Sequence, residues 1–207
     1  MAIPGMIAGG YSANVKVISL KERRFLTTVR QQYDYSCGSA ALATLLSFQY
    51  QHPVNEDAVT KEMWSRGNQE KIRREGFSLL DIKEYLQANG YSSNGYVAPV
   101  EKLVEVGIPA IALINDNGYN HFVVIKGMKN DNVLLGDPSA GTRVMSRLSF
   151  EKMRVNGILF VIIGNREHVV FNSENDWKIR PMAPLGTAIS PDNLANVTLL
   201  RRSPTDF

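Results

Sequence analysis

The apolar residues of this chain keep helical spacing up to about residue 90 and strand spacing beyond it, and that division restricts the fold more than any other feature. GSAALATLLSFQY, from Gly38, is rich in Ala and Leu almost all round, the mark of a helix buried on every side. Pro53 stops it. NEDAVTKEMWSRG offers Asn55 as N-cap, two acids in the first turn and Gly67 past the end. SLLDIKEYLQANG pairs Ser78 with Asp81 as a capping box, repeats Leu79, Ile82, Tyr85 and Leu86 at helical spacing, and closes on Asn89-Gly90. The charged NQEKIRRE between these two reads as solvated loop or frayed helix.

YVAP, IPAIALIN, HFVVIKGM, NVLLGDP, RVMSRLS and GILFVIIGN are then short, apolar and rich in β-branched residues. KNDN and DPSAG supply turn chemistry between them. Strands at hairpin spacing predict an antiparallel sheet, and helices followed by strands predict an α+β fold with the N-terminal helices packed on that sheet. VKVISL (Val15–Leu20) alternates well enough for an edge strand. From Glu167 the periodicity fades, and ENDWKIRPMAPLGTAISPDNL, with three prolines, reads as a tail. A length of 207 residues fits one domain with such a tail. The divisions expected are an N-terminal extension or strand over 1–28, a globular unit over 29–166 and a tail over 167–207 whose packing the sequence leaves open.

Composition excludes several functions. Net charge is +3 and the Lys and Arg residues are scattered, which argues against a nucleic-acid surface. No apolar run reaches the ~18–20 residues of a membrane span. A single cysteine precludes an intramolecular disulfide. The N-terminal MAIPGMIAGGYSANVK lacks the early positive charge of a signal peptide, which suits a cytoplasmic protein or a mature chain whose leader has been removed.

That cysteine, Cys37, stands one residue before Gly38 at the start of the buried helix. One reading is a small buried apolar residue, the usual state of a free cysteine. The other is a nucleophile: a helix N-terminus presents free N–H groups and a positive dipole end, both of which favour thiolate. A thiolate nucleophile needs a base and an acceptor that orients it. Of three histidines, His52 lies in a polar loop before Pro53 and His168 near the tail. His121 opens the strand HFVVIKGM, at a sheet edge where a side chain can face a cleft. Asp137, 16 residues on, ends the next strand, so pairing about KNDN brings the two to the same end of a hairpin. Taken alone, His121 is also a surface histidine and Asp137 a turn former. Gln31 and Gln32, six and five residues before Cys37, are candidates for the side-chain amide of an oxyanion hole.

Q-x5-C-G-x-A-A-L, H-F-V-V and G-D-P in this order resemble the C39 peptidases over about Val29 to Gly164. These are papain-like cysteine proteases known as the leader-cleaving domains of bacteriocin exporters. The resemblance implies Cys37 as nucleophile, His121 as general base and acid, Asp137 as its orienter and Gln31 as oxyanion donor, with Gln32 as the alternative. It implies cleavage after a Gly-Gly pair. It also implies a stand-alone form of the kind that accompanies functional-amyloid (Fap-type) secretion genes in Gram-negative bacteria, hence a periplasmic location and an amyloid-system component as substrate. Gly9-Gly10 echoes the family's cleavage site within the chain itself. Neither metal nor cofactor is expected, since three histidines, one cysteine and no H-E-x-x-H make a poor zinc set. Two further readings share the scaffold: a transpeptidase passing the acyl group to an amine, and a module that holds substrate without cutting it.

Overall fold

The computed structural model describes residues 19–164 and 167–179. Gly9-Gly10 and Val15 to Ile18 of the expected edge strand lie outside them. Leu20, the last residue of that stretch, instead opens a short helix, α1 (Leu20–Arg23). Ser19 and Glu22 cap it reciprocally, and such a capping box favours the helical turn over extension.

α2 (Cys37–Thr44) runs into a single π-helical turn over Leu45–Gln49. Its Ala40, Ala41, Leu42 and Ala43 are fully buried, as an all-round apolar helix requires. Leu42, Leu45 and Leu46 are also buried, each adding about 1.5–3 kcal/mol of burial free energy. α3 (Glu56–Arg66) starts where Asn55 accepts from the Asp57 N–H. α5 (Leu79–Ala88) starts on the Ser78–Asp81 capping box. Between them NQEKIRRE is a helix rather than a loop: α4 (Gln69–Glu75), capped by Asn68. It buries only Ile72, so no apolar period announces it.

β1 (Ser92–Val97), β2 (Ala110–Asp116), β3 (Tyr119–Lys129), β4 (Asn132–Asp137), β5 (Gly141–Ser146) and β6 (Ile158–Ile163) form an antiparallel sheet in the order β1-β6-β2-β3-β4-β5. Ile111, Phe122, Val124, Phe160 and Ile162 pack against α2, α3 and α5. The alternate residues Ala110, Ala112, Ile114, Val123 and Ile125 pack the other way, with Leu103 of α6 (Glu101–Val106) and Phe150 of α7 (Arg147–Met153). The helices thus flank both faces, and RVMSRLS is strand only as far as Ser146, whose hydroxyl then caps α7. Each of these two helices buries one apolar residue, too little for a visible period.

Two tight turns fix the hairpins that matter. Asn117 and Gly118 join β2 to β3 with φ of 53° and 87°; Asn130 and Asp131 join β3 to β4 with φ of 51° and 57°. Positive φ at both central residues is the twist-matched hairpin turn that Asn, Asp and Gly tolerate. From the second turn the register runs Lys129↔Asn132, Met128↔Val133 and Gly127↔Leu134, then skips Lys126 and resumes at Ile125↔Leu135. Lys126 is therefore the extra residue of a β-bulge.

The stretch after Glu167 packs on the sheet as far as the described residues go. The Val170 N–H bonds the Gln49 carbonyl, Asn172 bonds the bulge, and the short helix α8 (Glu174–Trp177) carries Asp176 into the interior. No helix of the described residues is long and apolar enough to cross a membrane.

Candidate active site

α2 delivers its first residue, Cys37, to β3. The thiol lies against the backbone N–H of Phe122, with the N–H groups of Gly38 and Cys37 itself nearby. Gly38 is required by this approach: a Cβ there would stand 2.9 Å from Phe77 Cβ and 3.4 Å from Phe122 Cδ2. Burial pushes the Cys37 thiol above its ordinary pKa, the three N–H groups oppose it, and the charge of Asp137 adds to the rise. A thiol depressed by the helix end is thus not the resting state. Burial outweighs the N–H groups that would favour thiolate.

His121 directly precedes Phe122, whose N–H faces the thiol. The hairpin brings His121 to Asp137 as the turn spacing predicts, with Nε2 3.2 Å from Oδ2. His121 differs from the expected edge position: β3 is an inner strand and the side chain is buried, 3 % exposed. The bulge makes the pairing possible. With it, the register carried one residue past Val124↔Gly136 sets Asp137 opposite Val123, on the face His121 shares. Without it, Asp137 would oppose Val124 and turn to the other face.

Asp137 is held from several sides. Its Oδ1 accepts from the Ser139 N–H, the Ser139 hydroxyl and the Ala140 N–H, and Arg143 reaches Oδ2 at 3.0 Å. Burial alone would raise its pKa; hydrogen bonds from His121 and Ser139, with the charges of His121 and Arg143, override that and hold it well below the usual carboxylate range. An ionised carboxylate only accepts, so the proton of a neutral His121 sits on Nε2. Among the described residues Nδ1 is buried without a hydrogen-bond partner.

Gln31 is drawn to the site by its backbone N–H, bonded to the Pro138 carbonyl just after Asp137. Its Nε2 donates to the Tyr33 carbonyl at 3.3 Å, and its Oε1 is buried without a partner among the described residues. Gln32 is exposed. His52 is exposed, at the far end of α2 against Tyr91, and His168 is exposed as well. Tyr119 and Arg143 gave no signal in the sequence. Tyr119 stacks on His121, centroids 5.7 Å apart, beside Gln31, and its hydroxyl donates to the Asp34 carbonyl at 3.0 Å. Arg143 links Asp137 to Asp116 at the tip of the β2–β3 hairpin. Among the described residues no group of three or more His, Cys, Asp or Glu side chains is arranged to hold a metal ion.

α2 carries the thiol of Cys37 at its start, and the antiparallel sheet carries an imidazole bonded to a carboxylate, His121 to Asp137; helices packed on such a sheet make a papain-like fold. The peptidase C39 family model matches residues 26–163, and the chain belongs to that family. It is 42% identical over 164 residues to the "Probable functional amyloid protease FapD" of Pseudomonas fluorescens, covering 79% of this chain and 72% of that one. It is 40% identical over 158 residues to the protein of the same name from Pseudomonas aeruginosa, covering 76% and 70%. Among solved structures it is similar to a double glycine motif protease from an AMS/PCAT transporter, determined with its leader peptide: 27% identity, TM-score 0.54, 65% of this chain and 89% of that one. The peptidase domain of Streptococcus ComA shares the fold, with a TM-score of 0.55 at 21% identity over 66% of this chain and 96% of that one. The chain is a cysteine peptidase, and its substrate is a peptide or protein.

Proposed function

We propose that the chain is an endopeptidase working through Cys37, His121 and Asp137. As the peptide carbonyl arrives, His121 Nδ1 takes the thiol proton and Sγ attacks the carbonyl carbon. Negative charge develops on the carbonyl oxygen, which accepts from the Cys37 N–H and from the Gln31 amide once that amide has left the Tyr33 carbonyl. Imidazolium gives its proton to the leaving amine, the C–N bond breaks, and a thioester remains on Cys37. Water, deprotonated by His121, attacks the thioester and frees the acid. Asp137 balances the imidazolium and keeps the ring in the productive tautomer. The observation that carries this reading is the two-sided imidazole, with Nε2 on Asp137 and Nδ1 buried and, among the described residues, unpartnered, next in sequence to Phe122, whose N–H faces the Cys37 thiol.

The substrate carries a Gly-Gly pair before the cut, and it is a component of an amyloid secretion system met in the periplasm. The likeness to a double glycine motif protease supports the first part and the names of the Pseudomonas relatives the second. The test is mass-spectrometric analysis of peptides containing Gly-Gly or Ala-Ala after incubation with the protein. Cleavage after the second glycine, absent with Ala-Ala, with Cys37→Ser and with His121→Ala, is expected. Cleavage that survives Cys37→Ser would overturn the reading.

A further inference from the structure

We infer that the segment 169–179, which lies beyond the family-matched residues 26–163, positions the catalytic His121–Asp137 pair by holding the β-bulge at Lys126, with Asn172 as the positioning residue. The inference rests on the proposed roles of His121 and Asp137.

A bulge leaves its extra residue outside the ladder, with backbone groups in need of other partners. Asn172 supplies them on both sides. Its N–H donates to the Lys126 carbonyl at 2.9 Å, and its Oδ1 accepts from the Met128 N–H at 2.7 Å. Asn172 has φ of 60°, a conformation asparagine tolerates better than most residues. Gly127 completes the fit, because a Cβ at that position would collide with Asn172. The displaced Lys126 side chain turns inward, where Nζ meets Asp176 Oδ1 at 3.0 Å and the Thr27 carbonyl and hydroxyl at 2.8 Å each. Asp176 also accepts from the Thr27 hydroxyl at 2.6 Å. The Lys126 C=O and Nζ and the Met128 N–H are thus met by 169–179 or by the loop that leads to Gln31.

The consequence follows from strand parity. Residues on one face of a strand recur every two positions, so a one-residue slip turns a side chain to the other face. The bulge is the slip that sets Asp137 on the face of His121. Without the Asn172 side chain the Met128 N–H loses its acceptor, while the backbone N–H of residue 172 can still meet the Lys126 C=O, and the two carboxylate–imidazole geometries, bulged and regular, come closer in free energy. Asn172 touches neither substrate nor the reacting atoms; it acts through the register.

The experiment compares Asn172→Ala and Asn172→Asp with the parent, alone and in an Asp137→Asn background. Asn172→Ala is expected to lower kcat on the Gly-Gly peptide about tenfold or more, with KM little changed, as misplaced catalytic groups do. Asn172→Asp keeps the acceptor for the Met128 N–H and is expected to restore most of the loss. In the Asp137→Asn background Asn172→Ala should cost nothing further. The His121 Nε2–H proton resonance, downfield in the parent and lost in Asp137→Asn, should weaken in Asn172→Ala. The inference is overturned if Asn172→Ala lowers the melting temperature but leaves kcat and that resonance unchanged, or if its penalty is the same in both backgrounds. If the parent cuts no Gly-Gly peptide, the proposed reaction fails while the resonance still decides the positioning role.

Discussion

Lys126 and Asp176 form an ion pair inside the protein, with side chains 0% and 4% exposed and 3.0 Å between charged atoms. Asp176→Asn keeps the shape and an acceptor but removes the charge that balances Lys126. Removing one partner of a buried pair costs about 3–5 kcal/mol, because the other charge is left uncompensated. The lower figure suits this variant, since Lys126 keeps its two bonds to Thr27. A loss of about 3 kcal/mol in a domain of this size lowers Tm by roughly 6–12 °C. Lys126→Met strands Asp176 and should cost a similar amount. The double variant Lys126→Met/Asp176→Leu removes both charges and should return to within about 1 kcal/mol of the parent, as apolar replacement of buried pairs does. Urea unfolding followed by circular dichroism measures all three, with a shifted midpoint at constant slope as the sign of a pure stability change. Burial lowers the pKa of Lys126 while Asp176 raises it, so in Asp176→Asn the lowering is unopposed by that charge. Between this lowered value and 10.5 the unfolded lysine holds more protons than the folded one, and stability of the variant should therefore rise with pH there. A cost below about 1 kcal/mol for Asp176→Asn, the worth of a surface pair, or penalties that simply add in the double variant, would refute the reasoning.

Asp137 is held below the ordinary 3.8, so its contribution to stability is complete above that value and is lost as pH falls towards its folded pKa. Acid unfolding of the parent should therefore be steeper below pH 3.8 than that of Asp137→Asn, and equal slopes would contradict the assignment. Gly38→Ala forces a Cβ against Phe77 and Phe122; overpacking of this kind costs about 1–3 kcal/mol, and peptide cleavage should fall further than stability accounts for. Tyr119→Phe removes the hydroxyl bond to Asp34 but keeps the ring over His121, and Tyr119→Ala uncovers the site. Alkylation of Cys37 by a bulky maleimide should accelerate more than by iodoacetamide in the Ala variant, and an unchanged ratio would show that Tyr119 does not restrict access. In His121→Ala the buried thiol has lost its base, so its alkylation should rise only above pH ~8.5, the value of a free thiol.

Much of this arrangement was legible in the sequence because it rests on local chemistry. Caps at Asn55 and Ser78 and the all-round apolar run after Gly38 define their helices without tertiary help. That His121 and Asp137 lie at the same end of one hairpin followed from a turn at KNDN and two strand lengths; the face they share depends on the bulge. What stayed hidden depends on contacts between distant residues. Lys126 in IKG carries no sign of a bulge, since the groups that stabilise it come from Asn172 and Asp176, more than forty residues on. The sequence left open whether the stretch after Glu167 packs; Val170, Asn172 and Asp176 are tied into the fold by hydrogen bonds and one buried charge rather than by a period, which leaves nothing to read. α4, α6 and α7 bury one apolar side chain each, which leaves nothing periodic to see. The thiol was expected to be acidified by its helix end; burial in the core next to Phe122 and the charge of Asp137, neither local to Cys37 in sequence, turn the balance the other way.

The most direct test of the account is intact-mass spectrometry of the protein mixed with a Gly-Gly peptide chloromethyl ketone, beside Cys37→Ser and His121→Ala. The account predicts one adduct, carried on Cys37, formed fast by the parent and absent or greatly slowed in both variants. No adduct on the parent, or labelling of His121→Ala at the parent's rate, would contradict it.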